Sequence, residues 1–437
     1  MSSINSQVIS KVRFLQAQAA GLLLYQSILS SDISQAFLTL LQAIEQSETN
    51  HFNCLQAYGD WFQLQAHYDQ SWQDYLISQI LRADNPFSQQ AQRTPWAQLS
   101  PALIQAAQWD LERLQSLYQC DGQSISQWVQ QVASLNQPPI VWQSDTASRN
   151  KSAEQTLGTQ LRSAQNWAEQ VQPLALHYHQ YGVGLFATAD AFRWQHQQLI
   201  PVYHPDPIQL HQLMGYETQR QLLLKNTEAL LASYRAQNVL LYGSRGAGKS
   251  SLVKALLHEY RDRGLRIIEV AKAELKALPQ VLEPLRDVPQ KFIIFVDDLS
   301  FEEDDEAFKA LKVVLEGNLT ARPQNVVVYA TSNRRHLVRE YFEDRPRPKD
   351  QDEIQGWDTV QEKLSFSDRF GLTLTFEPIN QTNYLKIVHH LATQAHLSLM
   401  TEDLEFQALQ WATRHNGRSG RTARQFIDFL IAEQHRR

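Results

Sequence analysis

Gly243, four intervening residues, then Gly248, Lys249 and Ser250 make a spacing that serves one chemistry well, the holding of phosphate. Glycines let consecutive backbone N–H groups curl around an anion, a lysine reaches the β- and γ-phosphate oxygens, and a hydroxyl serves Mg2+. On this reading Gly243, Ser244, Gly246, Ala247, Gly248, Lys249, Ser250 and Ser251 cradle a triphosphate, with ATP and Mg2+ as the expected cofactors. The bland alternative is a glycine turn between a strand and a helix, and it leaves the Gly-Lys-Ser triplet unexplained. Further along, the apolar run Phe292 to Val296 ends in Asp297 and Asp298. A buried strand ending in two carboxylates suits a metal ligand, Asp297, followed by a group that orients or deprotonates water, Asp298. Helix capping is the alternative for that pair. Glu302, Glu303, Asp304, Asp305 and Glu306 read as a solvated acidic loop and helix start, where negative charge is favourable.

These residues need elements to hold them. Val239 to Tyr242 is a short β-type run, and Leu252, Ala255, Leu256 and Tyr260 mark one face of a helix behind the loop. Arg266 to Val270, Phe292 to Val296, Val326 to Ala330 and Leu372 to Phe376 are further β-rich runs separated by helical sequence. Such alternation predicts an α/β domain with a parallel five-stranded sheet covered on both faces. The run from Val326 ends in Thr331, Ser332 and Asn333, at the sheet edge where ligands sit. From Thr382 onward the pattern is helical, with Tyr384, Ile387, Val388 and Leu391 in one stripe and Phe426, Phe429 and Leu430 in another.

The first 135 residues also read as helical. Ile33, Phe37, Leu40, Leu41 and Ile44 form one stripe, and Trp61, Leu64, Tyr68, Trp72 and Tyr75 form a second. Asn85-Pro86, Pro95, Pro101 and Pro138-Pro139 break the helices, which suggests a bundle or array without a fixed repeat. Gln143 to Ala153 reads as a linker, and Val183 to Ala187 and Leu199 to Tyr203 as short strands. His177 and His179 would lie on one side of a strand and could serve a metal, although the absence of an acidic or cysteine partner near in sequence speaks against it. The expected domains are therefore a mostly helical partner or adaptor domain over 1–203 with a small β element near 183–203, a nucleotide-binding α/β domain over 204–379, and a helical lid over 380–437.

Composition narrows the classes. A chain of 437 residues with 43% hydrophobic and 20% charged residues fits a soluble globular protein of two or three domains. The formal charge is −6, and residues 1–200 hold nine basic against fourteen acidic side chains, so no broad basic field points to nucleic acid. Two cysteines, Cys54 and Cys120, are too few for a disulfide scaffold or a cysteine zinc site. The N-terminal apolar patch at Ala19 to Tyr25 is too short for a membrane span or a convincing signal peptide, so a cytoplasmic setting and no membrane partner are expected.

Taken together, the phosphate loop, the paired aspartates, the strand ending in Asn333, the segment Ser367-Asp368-Arg369-Phe370-Gly371 and the tail Ser419-Gly420-Arg421-Thr422-Ala423-Arg424 resemble the AAA+ ATPases. The resemblance implies that Asn333 is sensor 1, that Arg369 is a finger offered to a neighbouring subunit, and that Arg421 is sensor 2 in the lid. It also implies that Leu213 to Glu217 pack against adenine. More narrowly, NRRHLVREYF, LSFSDRFGLTLTF and GRSGRTARQF resemble a bacterial family of stand-alone AAA+ ATPases known only as a domain of unknown function, over about residues 208–437. Many AAA+ enzymes carry Glu where this chain has Asp298, which leaves room for slow turnover. Arg334, Arg335, Arg345 and Arg347 compete with Arg369 for the finger role, and Arg418 and Arg424 compete with Arg421. The leading expectation is a homo-oligomeric ATPase that remodels a protein client or nucleic acid engaged through residues 1–203. A slow nucleotide switch is the second reading, and a P-loop phosphotransferase the weakest.

Overall fold

The computed structural model describes residues 2–46, 51–143, 152–300, 310–312, 315, 323–333, 369–397, 400–415 and 417–434. Glu302 to Glu306, Arg334, Arg335, Arg345, Arg347, Ser367 and Asp368 lie outside the described residues, as does most of the expected linker. The chain divides into two compact units, Met1–Thr188 and Ala189–Arg437. Among the described residues no helix is long and apolar enough to cross a membrane.

The first unit is helical and has its own core. Ser31 caps the helix Asp32–Glu45 by accepting the Ser34 N–H, and all five residues of its stripe are buried. The stripe read across Trp61 to Tyr75 is carried by two helices, His51–Tyr68 and Trp72–Arg82, because Asp69 turns to positive φ and Ser71 caps a new start. Trp72 nevertheless stacks on Phe37 with ring centroids 4.1 Å apart, so both helices feed one core. Asp110 closes the turn after the first helix by accepting the N–H groups of Leu23, Leu24 and Tyr25 at 2.7–3.0 Å. His177 and His179 lie on the helix Val171–Tyr181, not on a strand, so the pair does not face one way as a metal site would need. Among the described residues no cluster of three or more His, Cys, Asp or Glu could hold a metal.

The second unit is built on one sheet of seven strands: β1 (Ala191–Gln195), β2 (Gln198–Pro201), β3 (Val239–Gly243), β4 (Leu265–Glu269), β5 (Lys291–Val296), β6 (Val326–Ser332) and β7 (Leu372–Phe376). Their order is β2-β1-β4-β5-β6-β3-β7. All neighbours are parallel except β1 and β2. Central strands covered on both faces must be apolar throughout, which is why β5 and β6 are buried almost end to end.

The five expected parallel strands are therefore present, and two more join them. Val183 to Ala187 is not a strand; the short helix Leu185–Thr188 takes its place, and the hairpin follows from Ala191. That hairpin does not belong with the helical unit. Its backbone pairs with β4, and Asp190 at its start bridges the buried Arg266 at 3.2 Å. Three lid helices, Gln381–Gln394, Thr401–Arg414 and Gly420–Gln434, close the unit around a separate small core of Tyr384, Val388, Ala408, Phe426 and Ile427.

Candidate functional site

β3, between β6 and the edge strand β7, runs into the loop Gly243 to Gly248, which ends at the helix Lys249–Tyr260. Gly243 has φ +134°, and a Cβ added there would stand 2.0 Å from the carbonyl oxygen of Phe376 in β7. Glycine is the residue the turn can use, since both the backbone angle and the space exclude a side chain. Gly243→Ala is therefore expected to cost on the order of 3 kcal/mol or more. Urea unfolding checks this, and a variant within about 1 kcal/mol of the parent would refute it.

Lys249 is buried, and its ammonium donates to the carbonyls of Gly243 at 2.9 Å and Ser244 at 2.8 Å and to Asn333 Oδ1 at 3.2 Å. Burial lowers its pKa, while Asp298 and Asp297 pull it back up. Asn333 donates from Nδ2 to Asp298 Oδ1 at 2.7 Å, so one amide joins the loop lysine to the second aspartate. Ser250 donates to Asp297 Oδ1 at 2.6 Å. Asp298 itself sits at φ +51°, a left-handed turn that lifts the chain off the end of β5.

These groups line a cleft of about 510 Å3. One end is polar, with Arg245 to Ser251, Asp297, Asp298, Thr331 and Asn333. The other end is apolar, with Leu213, Met214, Tyr216, Ile379, Ile387 and Leu391. Tyr216 is held there in a left-handed conformation, its ring 4.8 Å from that of Phe376 and its hydroxyl donating to the Glu377 carbonyl. The lid contributes Gly420, Arg421, Arg424 and Gln425 to the wall. It touches the loop directly, because the Gly420 N–H donates to the Gly246 carbonyl at 3.1 Å. Gly246 leaves room for this: a Cβ on it would meet Ser419 at 2.9 Å.

Of the residues expected from sequence, Gly246 to Ser251, Asp297, Asp298, Asn333 and Arg421 line this one cleft. Gly243 and Ser244 stand behind it and hold Lys249 through their carbonyls. Arg369 does not line it; it precedes β7 at the opposite end of the strands. Arg424 lines the cleft beside Arg421, so both lid arginines remain in reach of a ligand. Sequence reasoning placed Thr331 at the strand end where ligands sit without giving it a role, and it did not single out Arg245 or Arg220. Thr331 carried a readable signal, a polar residue at the carboxyl end of a buried strand.

A family model described as "Protein of unknown function (DUF815)" matches residues 187–434. The chain belongs to the DUF815 family. The matched region begins just before the β1–β2 hairpin, so the DUF815 domain includes all seven strands and the lid. Its fold is a mostly parallel α/β sheet, with a glycine-rich loop leaving β3 and three C-terminal helices, one of which meets that loop through Gly420. Among solved structures, Thermotoga maritima RuvB, described as a Holliday junction branch migration motor, is 14% identical with a TM-score of 0.32. A single-substitution variant of it is 14% identical with a TM-score of 0.33. Each match covers 51% of this chain and 72% of the other. No curated protein matches this DUF815 chain significantly.

Proposed function

We propose that the chain is a Mg2+-dependent ATPase that works as a homo-oligomer and couples turnover to remodelling of a protein or nucleic-acid partner, with the helical unit 1–188 as the adaptor. The observation that supports this best is the pair of links at the polar end of the cleft: Asn333 joins Lys249 to Asp298, and Ser250 joins Asp297. A structural glycine turn needs neither link. Gly246 to Ser251 would wrap the phosphates, and the apolar end around Tyr216 would take the adenine.

The Ser250 hydroxyl and the Asp297 carboxylate are hard oxygen donors 2.6 Å apart, a set that fits Mg2+, which takes one or two carboxylates and completes its shell with phosphate and water. These two residues would hold the ion, which would supply positive charge to the β- and γ-phosphates. Lys249 exchanges its contact with Asn333 for phosphate oxygens, and the triphosphate charge favours its protonated form against the effect of burial. Asp298 orients the attacking water and accepts its proton. With Oδ1 taken by Asn333, Oδ2 is the oxygen presented to that water. Arg421 approaches from the lid, whose Gly420 N–H already rests on the loop.

Asp298→Asn is expected to bind ATP within about threefold of the parent and to turn it over roughly 10² to 10⁴ times more slowly, the usual weight of a positioned base. Phosphate release with Mg2+ or EDTA, beside equilibrium ATP binding, tests the whole reading. If the parent releases no phosphate, the ATPase reading fails; if the variant loses binding, the two aspartates do other work. One observation favours a second reading, a slow nucleotide switch: the short Asp298 side chain is already engaged by Asn333. Rapid single turnover followed by slow release of product would favour that switch.

A further inference from the structure

We infer that Thr331 is a positioning residue for both aspartates, setting the metal-side and water-side carboxylates through a single hydroxyl; the inference rests on the ATPase reading above. The parallel ladder of β5 and β6 ends at the pair Val296 and Ala330. Two residues beyond Val296 the chain of β5 leaves the sheet, at Asp298 with φ +51°. The Thr331 side chain, only 2% exposed, takes over from the ladder. Its Oγ1 accepts the Asp298 N–H at 2.9 Å. Its backbone carbonyl accepts the Leu299 N–H at 2.7 Å.

The direction of the hydroxyl proton follows from this. A backbone N–H can only donate, so Thr331 Oγ1 is the acceptor towards Asp298, and its one proton is left for Asp297 Oδ1, to which it donates. Asp297 Oδ1 then receives three donors, the hydroxyls of Thr331 and Ser250 and the Asp298 N–H at 3.2 Å. All three fall on the same oxygen. The carboxylate is thereby turned so that Oδ2 is available for a metal-bound water. The same Thr331 hydroxyl fixes the peptide that carries Asp298, which Asn333 holds from the other side at 2.7 Å. A buried group that orients a metal-side carboxylate commonly weighs 10- to 100-fold in affinity or activity when removed.

The experiment compares Thr331→Val, which keeps the shape and removes the hydroxyl, with Thr331→Ser, which keeps the hydroxyl, in the full chain. Thr331→Val is expected to lower kcat by about 10- to 100-fold with KM for ATP little changed. In the same variant, the strengthening of fluorescent-ATP affinity by Mg2+ is expected to shrink, a binding readout that does not depend on turnover. Thr331→Ser should restore both to within about threefold, a residual ordinary for the loss of one methyl group. If Thr331→Val does not fold, Thr331→Ala against Thr331→Ser makes the same single-hydroxyl comparison. Parental kcat and Mg2+ dependence in the hydroxyl-free variant, or equal impairment of the serine variant, would overturn the inference while leaving the ATPase reading intact. A parent chain without turnover overturns both.

Discussion

Arg369→Ala is expected to bind ATP nearly as the parent does and to lose roughly 10³ to 10⁵ of its turnover, about 4 to 7 kcal/mol of transition-state stabilisation. In the homo-oligomer proposed above, this is an effect between subunits. β7 pairs with β3 in parallel, Leu372 beside Val239 and Phe376 beside Gly243, so the phosphate loop follows the carboxyl end of β3 while Arg369 precedes the amino end of β7. The four residue steps from Leu372 to Phe376 alone span about 13 Å, and Arg369 is three residues further back. Its guanidinium cannot serve its own cleft, and it is absent from the cleft's lining. Specific activity of the parent should therefore rise with protein concentration, and a mixture of Arg369→Ala with Lys249→Ala should recover activity that neither has alone. Turnover per subunit that stays flat from nanomolar to micromolar, with a mixture as inactive as its parts, would make Arg369 a structural residue. An exposed structural ion pair accounts for at most about 1 kcal/mol, so the size of the loss separates the two cases.

Lys249→Ala should weaken ATP binding by about 10²-fold or more, because hydrogen bonds to charged groups contribute about 1.5 to 3 kcal/mol each and this lysine would serve two phosphates. The structure adds a cost that the sequence did not suggest. Lys249 is buried and satisfies three oxygens, the carbonyls of Gly243 and Ser244 and Asn333 Oδ1. Its removal leaves loop acceptors unpaired and should lower the unfolding temperature as well. Isothermal titration and a thermal melt on the same sample read the two effects separately; parental ATP affinity in the variant would remove the phosphate-binding role.

The core strands were legible in sequence because central parallel strands are apolar on both faces, and Val239, Phe292 and Val326 each open such a run within a residue of the observed strand; the edge strand β7, opened by Leu372, alternates instead. The chemical groups were legible for a related reason, since Lys249, Asp297, Asp298 and Asn333 follow those runs at their carboxyl ends. The hairpin was legible only in its second half, since Leu199 to Tyr203 overlaps β2 while β1 went unread. Its turn is made by His196 and Gln197, both at positive φ, where Asn-Gly would have given the signal. The stripe through Trp61 and Tyr75 misled because two helices separated by a tight turn at Asp69 happened to keep the period across the break. Thr331 was legible as a polar residue at a strand end, but not as the link between the two aspartates. A threonine at the end of a β-branched run reads as strand propensity until its hydroxyl is seen between two aspartates.

The two borders of the sheet limit how copies of this chain can meet. β2 is four residues long and ends in Pro201, which has no N–H to offer a further strand. On the far side, backbone carbonyls along and just beyond β7 are occupied by side chains from the start of the helix Glu217–Leu231, Gln219 to Thr375 at 2.8 Å and Tyr216 to Glu377. Among the described residues neither border invites main-chain continuation from one copy into the next. In the homo-oligomer proposed above, contacts would then run through side chains and loops, which can form and release within a working cycle, and not through a shared β-ladder that would lock the copies together.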